Sequence, residues 1–162
     1  MSGPARMYGA SGTLLEAPKT EQPRPPAARV LVIDSDNLHR MIMCRAADKA
    51  GYIPAGAANV AEATKLVRSA QFDCITLDLS LGRQAVGDML RCLSAFGCEA
   101  RIFFIGNHNA AEGRGAVRLA TLLDLNVGEP VAKPVDVGML RYALEQLKIQ
   151  GAPERGLAAV GV

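Results

Sequence analysis

Asp34, Asp78 and Lys133 each close a short run: RVLVI before Asp34, CITL before Asp78 and VGEPVA before Lys133. An ionised carboxylate beside such an apolar run is costly to bury unless something compensates its charge. Two carboxylates on one loop-lined rim suit a hard divalent cation such as Mg²⁺, which takes one or two carboxylates and keeps several waters. A lysine beside them supplies a point charge for a phosphate oxygen. A carboxylate nucleophile, a divalent cation and a lysine together describe phosphoryl transfer to aspartate. Taken singly, Asp78 reads as a turn former, Asp34 as a cap or turn acid, and Lys133 as a surface lysine before a proline. The set of three favours a site.

These residues meet only if the runs that carry them are neighbouring strands. RVLVID reads as a buried strand and DNLHRMIMCRAADKAG as a helix. Leu38, Met41, Ile42 and Ala46 supply its apolar face, Asp36 its cap and Gly51 its end. YIPAGAA is a weak second strand, placed at a sheet edge by Pro54. Ala63, Leu66, Val67 and Ala70 fall at helical spacing. FDCITLD is the third strand. Met89, Cys92, Leu93 and Phe96 mark the next helix. RIFFIG is the fourth strand, closed by Gly106 and Asn107. GAVRLATLLDL is helical, VGEPVAK is a short fifth strand, and Leu140, Ala143, Leu144 and Leu147 mark a last helix. Apolar strands alternating with helices predict a doubly wound α/β fold, a single five-stranded parallel sheet with helices on both faces. Ligands of such sheets bind outside the carboxyl ends of the strands, where Asp34, Asp78, Gly106 and Lys133 fall.

The remainder of the chain narrows the function class. It has 162 residues, 49% of them hydrophobic, and a net charge of +2, enough for one globular domain. The charges are scattered with no basic stripe, so neither nucleic acid nor a membrane surface is indicated as a partner. The amino terminus lacks the apolar centre of a secretory signal, which points to the cytoplasm. Cys44, Cys74, Cys92 and Cys98 show no paired metal or redox spacing and read as reduced, buried thiols. Residues 1–28 hold five of the nine prolines and read as a flexible arm. Residues 149–162 read as a shorter tail, and 29–148 as the folded domain. GRQAVGD has the glycine spacing of a phosphate loop, but Asp88 and Met89 stand where its Lys and Ser/Thr belong. His39 and His108 have no partner motif and read as surface residues.

RVLVIDSDNLHR, DCITLDLSLG and VAKPVDVGMLRYAL, in this order and spacing, resemble the receiver domain of bacterial two-component response regulators, the CheY-like superfamily. The resemblance covers about residues 29–148. It implies a flavodoxin-like strand order 2-1-3-4-5. Carried over, Asp78 is the phosphoacceptor, Asp34 an acid of the Mg²⁺ site, Lys133 the phosphoryl-contacting lysine, and the Ser80 backbone a further metal ligand. Asp36 is a candidate to replace a missing acid, because Ser35 stands where the family has a second acid. The family's Ser or Thr at the end of the fourth strand is Gly106, and its aromatic three residues before the lysine is Pro130, so the chain resembles an atypical member. The implied function is that of a single-domain response regulator and not an enzyme. It takes a phosphoryl group from a sensor histidine kinase or histidine phosphotransfer protein and signals by contact with a downstream protein, as a monomer or a homodimer. The alternative is a receiver-like adaptor that docks its partner without phosphorylation. A phosphatase with an Asp nucleophile fits less well, since Ser80 stands where such enzymes place a second acid.

Overall fold

The computed structural model describes residues 27–158, with side chains through 150, together with the backbone of Met7–Tyr8 and Leu14–Leu15. Four parallel strands form one sheet: β1 (Arg29–Ile33), β2 (Ile53–Ala57), β3 (Cys74–Asp78) and β4 (Arg101–Ile105). Their spatial order is β2-β1-β3-β4, the order expected for the first four strands, with Pro54 on the edge strand. The helices are α1 (Asn37–Lys49), α2 (Val60–Ser69), α3 (Arg83–Ala95), α4 (Ala111–Leu122) and α5 (Val137–Ala158). The backbone of α5 thus runs helically into the stretch expected as a tail. Most of the expected arm, residues 1–28, lies outside the described residues; within it Met7–Tyr8 pairs antiparallel with Leu14–Leu15.

Alternating side chains explain the layers. Leu31 and Ile33 of β1, Ile75 and Leu77 of β3 and Ile102 and Phe104 of β4 face α2, α3 and α4, where they meet Ala63, Met89, Leu90, Leu93 and Ala120. Val30, Val32, Cys74, Phe103 and Ile105 face the other side, against Met43, Ala46 and Ala47 of α1 and Leu140 and Leu144 of α5. Each large side chain buried in this way contributes about 1.5–3 kcal/mol. All five residues of β3 are buried. The strand that ends in Asp78 is therefore held on both faces and both edges.

The face of α1 differs from the expectation. Met43, Ala46 and Ala47 are buried, whereas Leu38, Met41 and Ile42 are 61%, 48% and 39% exposed. The helix carries apolar residues on two stripes. The alanine-rich stripe lets it approach the sheet closely, leaving the bulkier one outside.

The fifth strand is reduced to two isolated parallel bridges on β4, Ile102 with Val127 and Ile105 with Val131. Gly128 donates to the Ile102 carbonyl at 2.8 Å, and Val131 donates to Phe104 at 2.8 Å. A regular ladder would take the second of these bonds from residue 130. Pro130 has no N–H to give, so the chain slips by one residue and Val131 donates instead. The order of the sheet survives and its last ladder does not.

Candidate functional site

The connection after β1 builds one side of the rim. Asp34 N–H donates to the Ala57 carbonyl at 3.0 Å, which fixes the residue at the carboxyl edge of the sheet. Its Oδ1 accepts from Asp36 N–H at 2.9 Å. Asp36 in turn caps α1, its Oδ1 accepting from His39 N–H at 2.9 Å. Arg40 Nη1 donates to the Asp34 carbonyl oxygen at 2.7 Å. The connection after β3 repeats the device. Asp78 Oδ1 accepts from Ser80 N–H at 2.8 Å, at the start of the short 3₁₀ turn Leu79–Leu81. Each carboxylate thus gives one oxygen to its own loop and presents the other to the rim.

The rim-facing oxygens meet two nitrogens. Asp78 Oδ2 accepts from Lys133 Nζ at 2.6 Å. Asp34 Oδ2 is in direct contact with His39 Nδ1. His39 Nδ1 also lies 4.0 Å from Asp78 Oδ2. Asp34 and Asp78 are 3% and 1% exposed. Burial pushes the Asp78 carboxyl up. Hydrogen bonds from Lys133 and from the Ser80 hydroxyl and N–H, with a further one involving Asp34, outweigh it, so the acid sits below its ordinary value. Lys133 is delivered by the slipped fifth segment: Gly106 N–H donates to the Val131 carbonyl at 2.9 Å, two residues before it. The Lys133–Pro134 bond is cis.

Asp34, Asp78, Ser80 and Lys133 therefore converge, as their spacing predicts. Asp36 lies at the entrance, its side chain engaged as the helix cap. Ser35 is exposed. His39, expected on the surface, belongs to the cluster. Its signal was present: His39, Met43, Ala46, Ala47 and Ala50 fall at i, i+4, i+7, i+8 and i+11, so the buried stripe of α1 begins with it. The first turn of a helix that follows a strand lies at the carboxyl edge of the sheet, which puts that first stripe residue at the rim.

The donor set bears on which cation fits. The two carboxylates suit a hard cation such as Mg²⁺, and Ser35 brings no carboxylate to them. Among the described residues the grouped candidate ligands are Asp34, Asp78 and the nitrogen of His39.

The β4 side of the rim is different. Gly106 is buried with φ +132°, a conformation that side-chain-bearing residues rarely adopt, and an added Cβ would stand 3.4 Å from Leu79 Cβ. A groove of about 900 Å³ between α3 and α4 lies apart from the acid pair and sets Arg83, Arg91, Arg114 and Arg118 against one acid, Glu112. Cys74 is buried and its thiol is pushed up by desolvation; Cys44, Cys92 and Cys98 are half-buried and unpaired by disulfides. No helix among the described residues is long and apolar enough to cross a membrane.

Comparison with known proteins bears on the family and the fold. Residues 30–145 match the family described as response regulator receiver domain. No curated protein matches the sequence. The fold is similar to a response regulator from Colwellia psychrerythraea, with TM-score 0.64, 19% identity, and 76% of this chain and 98% of that one covered. It is similar to the chemotaxis response regulator CheY4 of Vibrio cholerae, with TM-score 0.62, 19% identity, and 74% and 98% covered. A response regulator from Burkholderia pseudomallei, solved with a phosphorylated aspartic acid, a calcium ion and citrate, gives TM-score 0.58 and 26% identity, with 81% and 74% covered.

Proposed function

The chain belongs to the response regulator receiver-domain family, a family of signalling modules, and from that premise we propose that it accepts a phosphoryl group on Asp78. The observation that carries this reading is a buried carboxylate at the end of the central strand, paired with Lys133 at 2.6 Å. A sensor histidine kinase or histidine phosphotransfer protein is the donor, in the cytoplasm. An Asp78 oxygen attacks phosphorus, the P–O bond forms, the P–N bond of the phosphohistidine breaks, and the pair leaves on the imidazole nitrogen, which takes up a proton. Lys133 then exchanges the carboxylate for a phosphoryl oxygen, a partner of the same charge sign. Asp34 and Asp78, with the Ser80 backbone, would hold the divalent cation, which supplies positive charge against the developing charge on the transferring group.

The exposed stripe of α1 supports the choice of a protein donor. Ile42 and Val137 line a depression of about 340 Å³ together with His39 and Lys133, and Leu38 and Met41 continue the apolar surface outward on α1. A protein seated there reaches the rim directly. The test is intact-mass analysis after incubation with acetyl phosphate and Mg²⁺. The expected outcome is one added phosphoryl mass on the wild type and none on Asp78→Asn. No adduct on the wild type under any divalent cation sinks the reading.

A second reading rests on Gly106 and Pro130. Without a hydroxyl at one position and an aromatic at the other, the familiar differential contacts between two states are missing. In this reading the domain binds its downstream partner whether or not Asp78 is modified, and beryllofluoride leaves the partner's affinity unchanged.

A further inference from the structure

Donors of two kinds meet beside Lys133. Asp34, His39 and Asp78 each bring one ligand atom to within 4.8 Å of the others. The longer approach from the imidazole, Nδ1 to Asp78 Oδ2, is 4.0 Å. Tetrahedral bonds of about 2.1 Å set two ligand atoms about 3.4 Å apart, so a side-chain rotation of a few tenths of an ångström brings both atoms onto one small ion with the backbone in place. Both carboxylates are almost fully buried, and Lys133 balances only one of their charges. The acid that Mg²⁺ would use at position 35 is an exposed serine, while a nitrogen reaches the cluster from one turn into α1.

A nitrogen in place of an oxygen changes which ion is matched. Carboxylate, carbonyl and water suit Mg²⁺, Ca²⁺ and Mn²⁺, whereas imidazole suits Zn²⁺, Ni²⁺, Cu²⁺ and Fe²⁺. We infer that Asp34, His39 and Asp78 form a mixed nitrogen–oxygen site for a borderline divalent cation, Zn²⁺ or a first-row neighbour, with His39 Nδ1 as a direct ligand. Three protein ligands leave a position open for water or a phosphoryl oxygen. The metal-bound tautomer carries its proton on Nε2, on a ring whose side chain is 24% exposed, so the proton can pass to solvent contact as the metal takes Nδ1. The site shares Asp34 and Asp78 with the cation site of the phosphoacceptor reading and rests on that reading there.

The test uses the full chain, His39→Ala and a His108→Ala control, titrated separately with Zn²⁺ and Mg²⁺ by calorimetry. Histidine-selective ¹⁵N NMR follows His39 in parallel. The expected result is a Zn²⁺ affinity lowered on the order of 100-fold or more by His39→Ala, at or above what loss of a partner outside the ligand set costs. His108→Ala leaves it unchanged, Mg²⁺ affinity shifts less than about threefold with His39→Ala, and Zn²⁺ moves the His39 Nδ1 resonance. Equal Zn²⁺ affinity in wild type and His39→Ala overturns the inference. So does tighter binding of either ion by His39→Ala, which would make the imidazole a plug. Acetyl phosphate labelling of the same samples separates the two readings: loss of labelling with a His39-dependent Zn²⁺ site removes only the phosphoacceptor, and labelling with a His39-independent site removes only the metal assignment.

Discussion

The β1–β3 side of the rim and the β4 side are built to different standards. On the first, Asp34 and Asp78 are each fixed by a turn bond to the amide two residues on, at the ends of strands paired along their length. On the second, Gly106 holds a left-handed φ, and the neighbouring segment meets β4 through two bridges separated by a one-residue slip. The proposed acceptor chemistry needs a precisely held carboxylate, and the first side holds Asp78 in that way. A receiver switch needs an element with two arrangements, and the second side has lost the side chains the family uses for that. The difference teaches that holding the rim carboxylates and shaping the edge are separable in this fold, since they stand on different strands and draw on different contacts.

Removing Lys133 tests the first side hardest. Lys133→Ala should slow acetyl phosphate labelling of Asp78 by about 100-fold, as loss of one preorganised charge at a developing oxyanion does elsewhere; a change of less than about threefold would break the contrast. Stability should divide the same way. Leu31→Ala, in fully buried β1, should cost about 2–5 kcal/mol in denaturant unfolding. Val131→Ala, at a half-buried bridge, should cost about 1 kcal/mol, and equal costs would show that the edge is as firmly packed as the centre. Restoring the family's hydroxyl by Gly106→Ser should destabilise by about 1–3 kcal/mol, because the backbone there has left the region a side chain tolerates. A neutral or stabilising result would show that φ at 106 relaxes freely.

The smallest expected effect is on acid stability. Asp78 sits below its ordinary value, so in that window the unfolded chain binds a proton that the folded chain does not, and stability rises with pH. The contribution is complete above about pH 4, the range of an unfolded aspartate, and is lost as pH falls through the lower folded value. Urea unfolding at pH 5 and pH 3 should show a smaller acid loss for Asp78→Asn than for the wild type. An identical loss would place the acid sensitivity elsewhere.

The alternation of strands and helices and the acid–acid–lysine rim were legible because both follow from periodicity and from which residue ends each apolar run, whereas the strand order came from the family resemblance. β3 is apolar without interruption and buried on both faces, so its carboxyl end had one place to go. The stretch VGEPVAK was harder, since its apolar residues read as a strand while Pro130 removes the one N–H that a regular ladder on Phe104 requires. Its pairing depended on the partner carbonyl, which lies some twenty-six positions back along the chain.

Local sequence determined that strands and helices would alternate and that Asp34, Asp78 and Lys133 would end on one edge, because every strand of a parallel sheet presents its carboxyl end to the same side. Tertiary structure decided the rotation of α1. Two apolar stripes were available, and intrinsic pattern does not rank them; close packing of Met43, Ala46 and Ala47 against Val30 and Val32 did. That rotation carried His39 from the surface into the acid cluster and left Leu38, Met41 and Ile42 facing outward beside it.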